Sequence, residues 1–486
     1  MERNLADALR QHARSRPDHP ALIDGDRRID HRELDALVDR AAQGLLARGC
    51  TPGDTVGLSM RDHWGHVVAM WACMRAGLVL LPLDCRWTDT ERQAVVGHFG
   101  ATQVVRDPDA RVEELPSIDW TDLLRDAALT PPVAWPEVDL DSPLLLSLSS
   151  GTTGRPKGPR ITHRHFLRRF MTHWIDLGLN AASRYVCATP LYFGGGRTFT
   201  LSVLFSGGTV IMRAPPFEPA ELADAVRTHD ANALFLVPTQ LRRLLRAPAA
   251  EREAFARLRL LISSGAPLQP NERLAILDSL CPNFHEYYAS TEGGGVSLCT
   301  PQDFRRRPAS VGRAIFGVEI GIVDDAGRAL PAGRVGSLRY RGPGVADGFF
   351  ADPDQSALHF RDGWFLPGDL AEIDAEGYVH LRGRSKDMII RGGVNIYPNE
   401  IEDVLLQLPQ MQECAVLGVP DADLGETVAC AWVAQHPFTV EALVAHCRRQ
   451  LSPYKVPSRW LRLDELPVNS GGKVVKARLR ALFESG

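Results

Sequence analysis

Residues 144–163 read LLLSLSSGTTGRPKGPRITH, a run of leucine and serine that turns abruptly into glycine, threonine, proline and lysine. Ser149, Ser150, Thr152 and Thr153 surround Gly151 and Gly154, and Lys157 adds a positive charge. Glycines leave backbone N–H groups free to converge on an anion, and the hydroxyls add further donors. Phosphate is the natural ligand of such a loop; a flexible surface turn is the plainer alternative. The string is not a Walker A loop, which needs glycine where Pro156 stands and Ser or Thr where Gly158 stands.

A donor-rich loop needs rigid elements to aim it. RELDALVDRAAQGLLARG carries apolar residues at helical spacing and ends at Gly49, a C-cap position. TVGLSM, LVLLPL and QVVRD read as short strands. The most apolar segment, VVAMWACMRAGLVLLPL, reads as a buried helix running into a strand; Arg75 interrupts it, and it is too short to span a bilayer. After the loop, VCATP, GGTVIM, ALFLVP and LRLLISSG each read as a strand. This alternation is the mark of an α/β fold with mostly parallel sheet. From about residue 310, GRAIFGVEIGIVDDAGRALPAG and VGSLRYRGPGVADGFF carry turn-rich strand patterns, an antiparallel sheet or small barrel. Beyond GRSKDMIIRGG, the helices NEIEDVLLQL and TVEALVAHCRRQL alternate with strands such as CAVLGV and TVACAWVA, an α+β unit.

Composition bounds the function. The 486 residues are 44% hydrophobic and 23% charged, ordinary for a globular chain, and exceed a single core. A net charge of −4 carries no basic excess, which argues against nucleic acid as a partner. Nine cysteines lie without C-x-x-C spacing, which argues against structural zinc and fits a reducing, cytoplasmic setting. The stretch MERNLADALRQHARSRPDHP has no apolar run of signal-peptide type.

Four stretches in order resemble the motifs of the adenylate-forming superfamily, which includes acyl-CoA synthetases, stand-alone adenylation domains of peptide synthesis and firefly luciferase. They are SLSSGTTGRPKG, EYYASTEGGG (286–295), GWFLPGDLAEIDAEGYVHLRGRSKDMIIRGGVNIYPNEIE (363–402) and NSGGKVVK (469–476). The likeness covers essentially the whole chain. It implies a large AMP-binding unit over 1–385, α/β to about 310 and antiparallel β beyond, followed by a small mobile unit over 386–486 with its hinge at Lys386. It also implies an activity in two halves. A carboxylate attacks the α-phosphorus of ATP to give an acyl-adenylate and pyrophosphate; a thiol, of CoA or of a carrier protein's phosphopantetheine, then displaces AMP. A nucleotide-binding protein that has lost catalysis is the alternative of another class, and the presence of Lys473, Glu292 and Asp369 speaks against it.

The resemblance assigns roles residue by residue. Glu292 becomes a ligand of Mg2+, a hard cation that takes one or two carboxylates together with phosphate oxygens. Thr291 bonds the α-phosphate, Tyr288 offers a ring for adenine, and Gly265, Ala266 and Pro267 line the base. Asp369 accepts the ribose hydroxyls, since an ionised carboxylate can take two donors, and Arg384 is the second ribose contact. Alone, a Thr-Glu pair would read as a helix N-terminus, Asp369 as a turn cap and Arg384 as a solvated side chain. Gly392 and Gly393 border the channel for the thiol arm. Phe193, beside Gly194, stands at the entrance of the acyl pocket. Two positions depart from the common pattern there. Ala289 replaces a frequent glycine, which shortens the cavity and favours a small or medium acid. Arg197 either clamps a second polar group of the substrate through its bidentate fork or points to solvent. Pro159, directly after Lys157-Gly158, is a further departure.

Lys473 carries the largest claim: an ammonium between the acyl oxygen and the α-phosphate offsets the repulsion of two anions, worth roughly 3–4 kcal/mol for one such donor. Lys473→Ala is therefore expected to abolish acid-dependent adenylation while a preformed acyl-adenylate still reacts with its thiol. Rate measurements on the separate half-reactions check this, and equal loss of both would remove the assignment.

Overall fold

The computed structural model describes residues 4–110, 115–126, 134–148, 157–392, 394–421, 423–434, 438–468 and 474–485. Within them the first two thirds alternate strand and helix, as the periodicity predicts, and build two mostly parallel sheets. In one, Ser117–Asp119, Ala101–Arg106, Thr55–Ser59, Val79–Pro82 and Pro143–Leu146 run parallel, and Arg160–Thr162 closes the edge antiparallel. The other has a parallel centre: Phe284–Ser290, Leu260–Ser263, Ala233–Leu236, Arg184–Cys187, Thr209–Met212 and Pro20–Asp24. Antiparallel strands border it, Gly294–Cys299 and Arg313–Ala314 on one side and Arg27–Asp30 on the other.

The segment expected to be a buried helix running into a strand is one: Trp64–Arg75 followed by Val79–Pro82. From Gly65 to Arg75 every residue of that helix is buried, so it needs no polar face. It shares one apolar core with Val56, Leu58 and Leu80 of the first sheet and with Tyr185, Cys187 and Phe235 of the second. The strand Arg184–Cys187 shows the period-two consequence of being covered on both faces. Tyr185 and Cys187 enter that shared core, whereas Val186 and the following Ala188 pack on the far side with Leu222, Leu241 and Ile276. Gly49 follows the helix His31–Ala47 with φ of 86°, the left-handed conformation expected of its capping position.

From residue 319 the strands turn antiparallel: Glu319–Val323, Gly336–Arg341, Phe360–Arg361, Trp364–Phe365, Asp369–Ile373 and Val379–Arg384 form one sheet. The last unit pairs the long strands Met411–Asp421 and Gly425–Ala434, with Ile389–Arg391, Val394–Ile396 and Arg459–Arg462 beside them and apolar clusters on both faces. Among the described residues no helix is long and apolar enough to cross a membrane.

Segments past the carboxyl ends of the two parallel sheets touch each other, and such ends are where open α/β sheets hold ligands. Asp62, just past Thr55–Ser59, accepts the N–H of Leu191 at 2.7 Å, and Arg197 donates to Ser147, just past Pro143–Leu146, at 3.0 Å. Pro159 has a physical reason here. It opposes Phe349 in an antiparallel bridge whose hydrogen bonds flank it, Phe350 N–H to Gly158 O at 2.8 Å and Arg160 N–H to Gly348 O at 3.1 Å. A residue without an N–H fits that slot at no cost.

The helix Gly194–Phe205 opens on three glycines, against intrinsic propensity. Packing accounts for two of them. A Cβ on Gly195 would stand 2.4 Å from the Phe235 ring, and one on Gly196 would stand 2.2 Å from the carbonyl oxygen of Thr189; a Cβ on Gly194 meets nothing within 4 Å. Gly194→Ala is thus expected to leave the thermal unfolding midpoint unchanged or slightly raised. Gly196→Ala is expected to lower it, at an overpacking cost of about 1–3 kcal/mol. Equal midpoints for the two variants would contradict this packing.

Candidate functional site

The turn Thr291–Gly293 joins the strands Phe284–Ser290 and Gly294–Cys299 at the carboxyl end of the nine-stranded sheet. The run of glycines after Glu292 follows from crowding. A Cβ on Gly293 would stand 2.5 Å from the Tyr340 ring, one on Gly294 2.9 Å from the Arg169 side chain, and one on Gly295 1.8 Å from the Tyr287 hydroxyl. Gly294 also has φ of 72°, which favours glycine. Tyr340 and Ser290 share a hydroxyl–hydroxyl hydrogen bond of 2.5 Å, and the Ser290 oxygen accepts the N–H of Gly293 at 2.8 Å. The turn is thereby held from below while Thr291 and Glu292 stay half-exposed. Among the described residues the Glu292 carboxylate has no ion-pair partner, and no group of three His, Cys, Asp or Glu could hold a metal ion. A lone open carboxylate of this kind fits magnesium shared with phosphate oxygens better than a metal caged by protein.

Asp369 and Arg384 are cross-strand partners in the antiparallel sheet. The Arg384 Nε lies 2.6 Å from Asp369 Oδ1, and the Tyr288 hydroxyl donates to Asp369 Oδ2 at 2.5 Å. Three residues assigned to the nucleotide, separated by up to 96 positions, therefore form one constellation. Burial and the Asp369 charge hold the Tyr288 phenol well above its usual range, so it remains a donor. Gly265, Ala266 and Pro267 form an exposed loop just past the strand Leu260–Ser263, at the same edge of the sheet.

Lys157 is the first residue of the described segment 157–392, its Nζ 2.5 Å from the Gln355 side-chain oxygen and 5.4 Å from the centre of the Phe349 ring. Ser149, Ser150, Gly151, Thr152, Thr153 and Gly154 lie outside the described residues, as do Gly393 and Lys473. Phe193 is the half-buried residue that precedes the helix Gly194–Phe205, and Gly194 is exposed at its start. Ala289 opposes Gly295 across a strand irregularity and packs against the shared core.

Arg197 corrects the solvent-facing alternative: it is 2% exposed. Its guanidinium donates to the carbonyls of Leu191 and Tyr192, both at 3.2 Å, and to the Ser147 hydroxyl, while its Nε has no partner. Among the described residues it has no carboxylate partner, and burial draws its pKa down to about 9. The helix places it there because position 197 falls on the same inward face as Leu201 and Leu204.

Lys386 is exposed in the single turn Ser385–Asp387 that separates Val379–Arg384 from Ile389–Arg391. Gly392 turns the hairpin that follows, with φ of 57° and its N–H on the carbonyl of Leu424 at 2.8 Å.

Arg169 is a site residue that motif reading passes over. It lies in RHFLRRFMTH beside Arg168, and only helical spacing sets it apart: it shares the buried face with Phe166, Phe170 and His173. A charged residue on an apolar helical face is the signal that could have found it.

Comparison with known proteins follows this geometry. The profile of the AMP-binding enzymes matches residues 9–350, and that of the AMP-binding enzyme C-terminal domain matches residues 400–473. The chain is 33% identical to feruloyl-CoA synthase from Amycolatopsis sp over 97% of both chains. It is similar to the crystal structure of ATP-bound MatB from Rhodopseudomonas palustris, with a TM-score of 0.90 at 31% identity over 100% of this chain and 99% of that one. It is also similar to o-succinylbenzoate CoA synthetase from Bacillus subtilis in complex with the acyl-adenylate OSB-AMP, with a TM-score of 0.88 at 26% identity over 99% and 98% of the chains.

Proposed function

Because the chain belongs to the AMP-binding enzymes of the adenylate-forming superfamily, we propose that it is an acid–CoA ligase whose reaction runs through an acyl-adenylate. The observation that carries this is the constellation of Tyr288, Asp369 and Arg384, which gathers an oriented carboxylate, a guanidinium and an aromatic ring beside the exposed loop 265–267. An ionised carboxylate accepts two donors at once, as a ribose diol requires.

In the first half-reaction a carboxylate oxygen of the acid forms a bond to the α-phosphorus of ATP, and the bond to pyrophosphate breaks. Lys157 and the hydroxyls and N–H groups of 149–154 receive the phosphates, and Thr291 bonds the α-phosphate. Glu292 holds magnesium, which neutralises phosphate charge when bound. Lys473 stands between the reacting oxygens. In the second half-reaction the thiol sulfur bonds to the acyl carbon, AMP leaves with the bond electrons, and the thiol proton is released. The small unit turns about Lys386 between the two, taking Lys473 out and bringing Gly392 and Gly393 to the thiol arm. The position of Lys386, exposed in a single turn between two strands, supports that role, since hinges fall in such short connecting segments.

The acceptor is CoA in this reading, as the name of feruloyl-CoA synthase says of that relative; a carrier protein's phosphopantetheine is the alternative. The acid is small or medium-sized, limited by the methyl group of Ala289. Arg197, buried without a carboxylate partner among the described residues, favours an acid with a second polar group. We place the enzyme in the cytoplasm, where thiols stay reduced, in keeping with nine free cysteines.

Exchange of labelled pyrophosphate into ATP tests the reading across short, branched, aromatic and dicarboxylic acids. At least one acid is expected to support exchange, and CoA to accept the acyl group in preference to a phosphopantetheinylated carrier. Absence of exchange with every class, magnesium present, would end the proposal. Lys386→Pro is expected to slow the thiol step more than adenylation, measured by single-turnover rates; equal slowing would exclude the hinge.

A further inference from the structure

Arg169 is buried, 6% exposed, on the helix His163–Ile175. Its guanidinium spends its donors on main-chain carbonyls alone. Nε reaches Gly344 O at 2.9 Å, Nη1 reaches Thr291 O at 3.3 Å and Nη2 reaches Glu292 O at 2.7 Å. Among the described residues no carboxylate lies within ion-pair distance of it. A fully desolvated charge is usually paired with an opposite one; this one instead meets the backbone of the turn that presents Thr291 and Glu292. The surroundings are shaped to admit it. Cβ atoms on Gly294 and Gly344 would stand 2.9 and 3.0 Å from its side chain, so glycine at both positions leaves the channel it fills. The Glu292 carbonyl accepts a second hydrogen bond, from the N–H of Ala346 at 3.0 Å, which ties the same peptide to the segment after Gly344.

We propose that Arg169 is a positioning residue for the nucleotide–metal site: by gripping the carbonyls of Thr291, Glu292 and Gly344 it fixes the direction in which the Glu292 carboxylate and the Thr291 hydroxyl project. A planar fork bonded at three points restricts the orientation of the turn, and losing a group that orients a metal ligand typically costs about 10–100-fold in metal affinity. The guanidinium charge also sits close enough to the Glu292 carboxylate for the two to attract. The inference rests on the reading of Thr291 and Glu292 as the phosphate and metal residues.

Calorimetric titration of the full-length protein with ATP, with and without magnesium chloride, tests it beside thermal unfolding. Magnesium is expected to tighten ATP binding to the parent protein. Arg169→Met is expected to lose about 10-fold or more of that gain while magnesium-free ATP affinity stays within about 2-fold. Arg169→Lys, with a point charge in place of the fork, is expected to lose part of it. If Arg169→Met does not fold, Gly344→Ala, which crowds the same side chain, and Arg169→Lys carry the test. Glu292→Gln serves as reference. If it loses the magnesium-dependent gain and the folded Arg169 variants keep it, the clamp is refuted. If Glu292→Gln itself keeps the gain, the metal assignment fails instead, and the clamp's purpose falls with it.

Discussion

Burying a guanidinium costs several kcal/mol unless its polar groups find partners, and each of the three nitrogens of Arg169 reaches a main-chain oxygen, drawn from separate parts of the chain. Its helix follows the six-stranded sheet, Thr291 and Glu292 lie on a turn of the nine-stranded sheet, and Gly344 follows the strand Gly336–Arg341 of the antiparallel sheet. Three sheets converge on one side chain. The same point of convergence sets the rest of the site: Tyr340 rises from the third sheet to brace Ser290, and Tyr288 crosses to Asp369. These polar contacts add to the shared apolar core by fixing how the sheet ends meet.

Those contacts explain why the neighbourhood is rich in glycine. Side chains as bulky as Tyr287, Tyr340 and Arg169 occupy the space where Cβ atoms of 293, 294 and 295 would project. Bulk on one strand and its absence on the next produce a close-packed platform below a turn that is left open above. Arg197 and Asp62 extend the principle to the meeting of the two parallel sheets. Asp62 holds Leu191 N–H with its carboxyl pushed up to about 6 by burial, and Arg197 spans to Ser147. Both are ionisable groups that tie segments of the two sheets together, Arg197 with its Nε still unpartnered.

The alternation of strands and helices was legible because each parallel strand is a short apolar run and each amphipathic helix repeats at its own period. Val186, Ile211, Leu234 and Leu261 all fall in segments read as strands. The triple-glycine start of the helix Gly194–Phe205 was illegible for the opposite reason: propensity opposes it, and only the Phe235 ring and the carbonyls of Thr189 and Pro190 require it. Motifs located Tyr288, Asp369 and Arg384, yet nothing local to any of them shows that they touch. Arg169 escaped because its partners are main-chain atoms, which carry no residue signature. Arg197 kept two alternatives, a substrate clamp and a solvent-facing side chain, because a charge beside glycines gives no measure of burial.

Pro159 has a bearing on how this protein can diverge. The segment that begins at Gly158 is aligned by a residue that tolerates only every second slot: the hydrogen bonds run through Gly158 and Arg160, and a shift by one position would put Pro159 where the ladder demands an N–H. A one-residue insertion or deletion upstream therefore cannot be absorbed by sliding. Such a change of length must instead be taken up before Gly158, leaving Pro159 opposite Phe349.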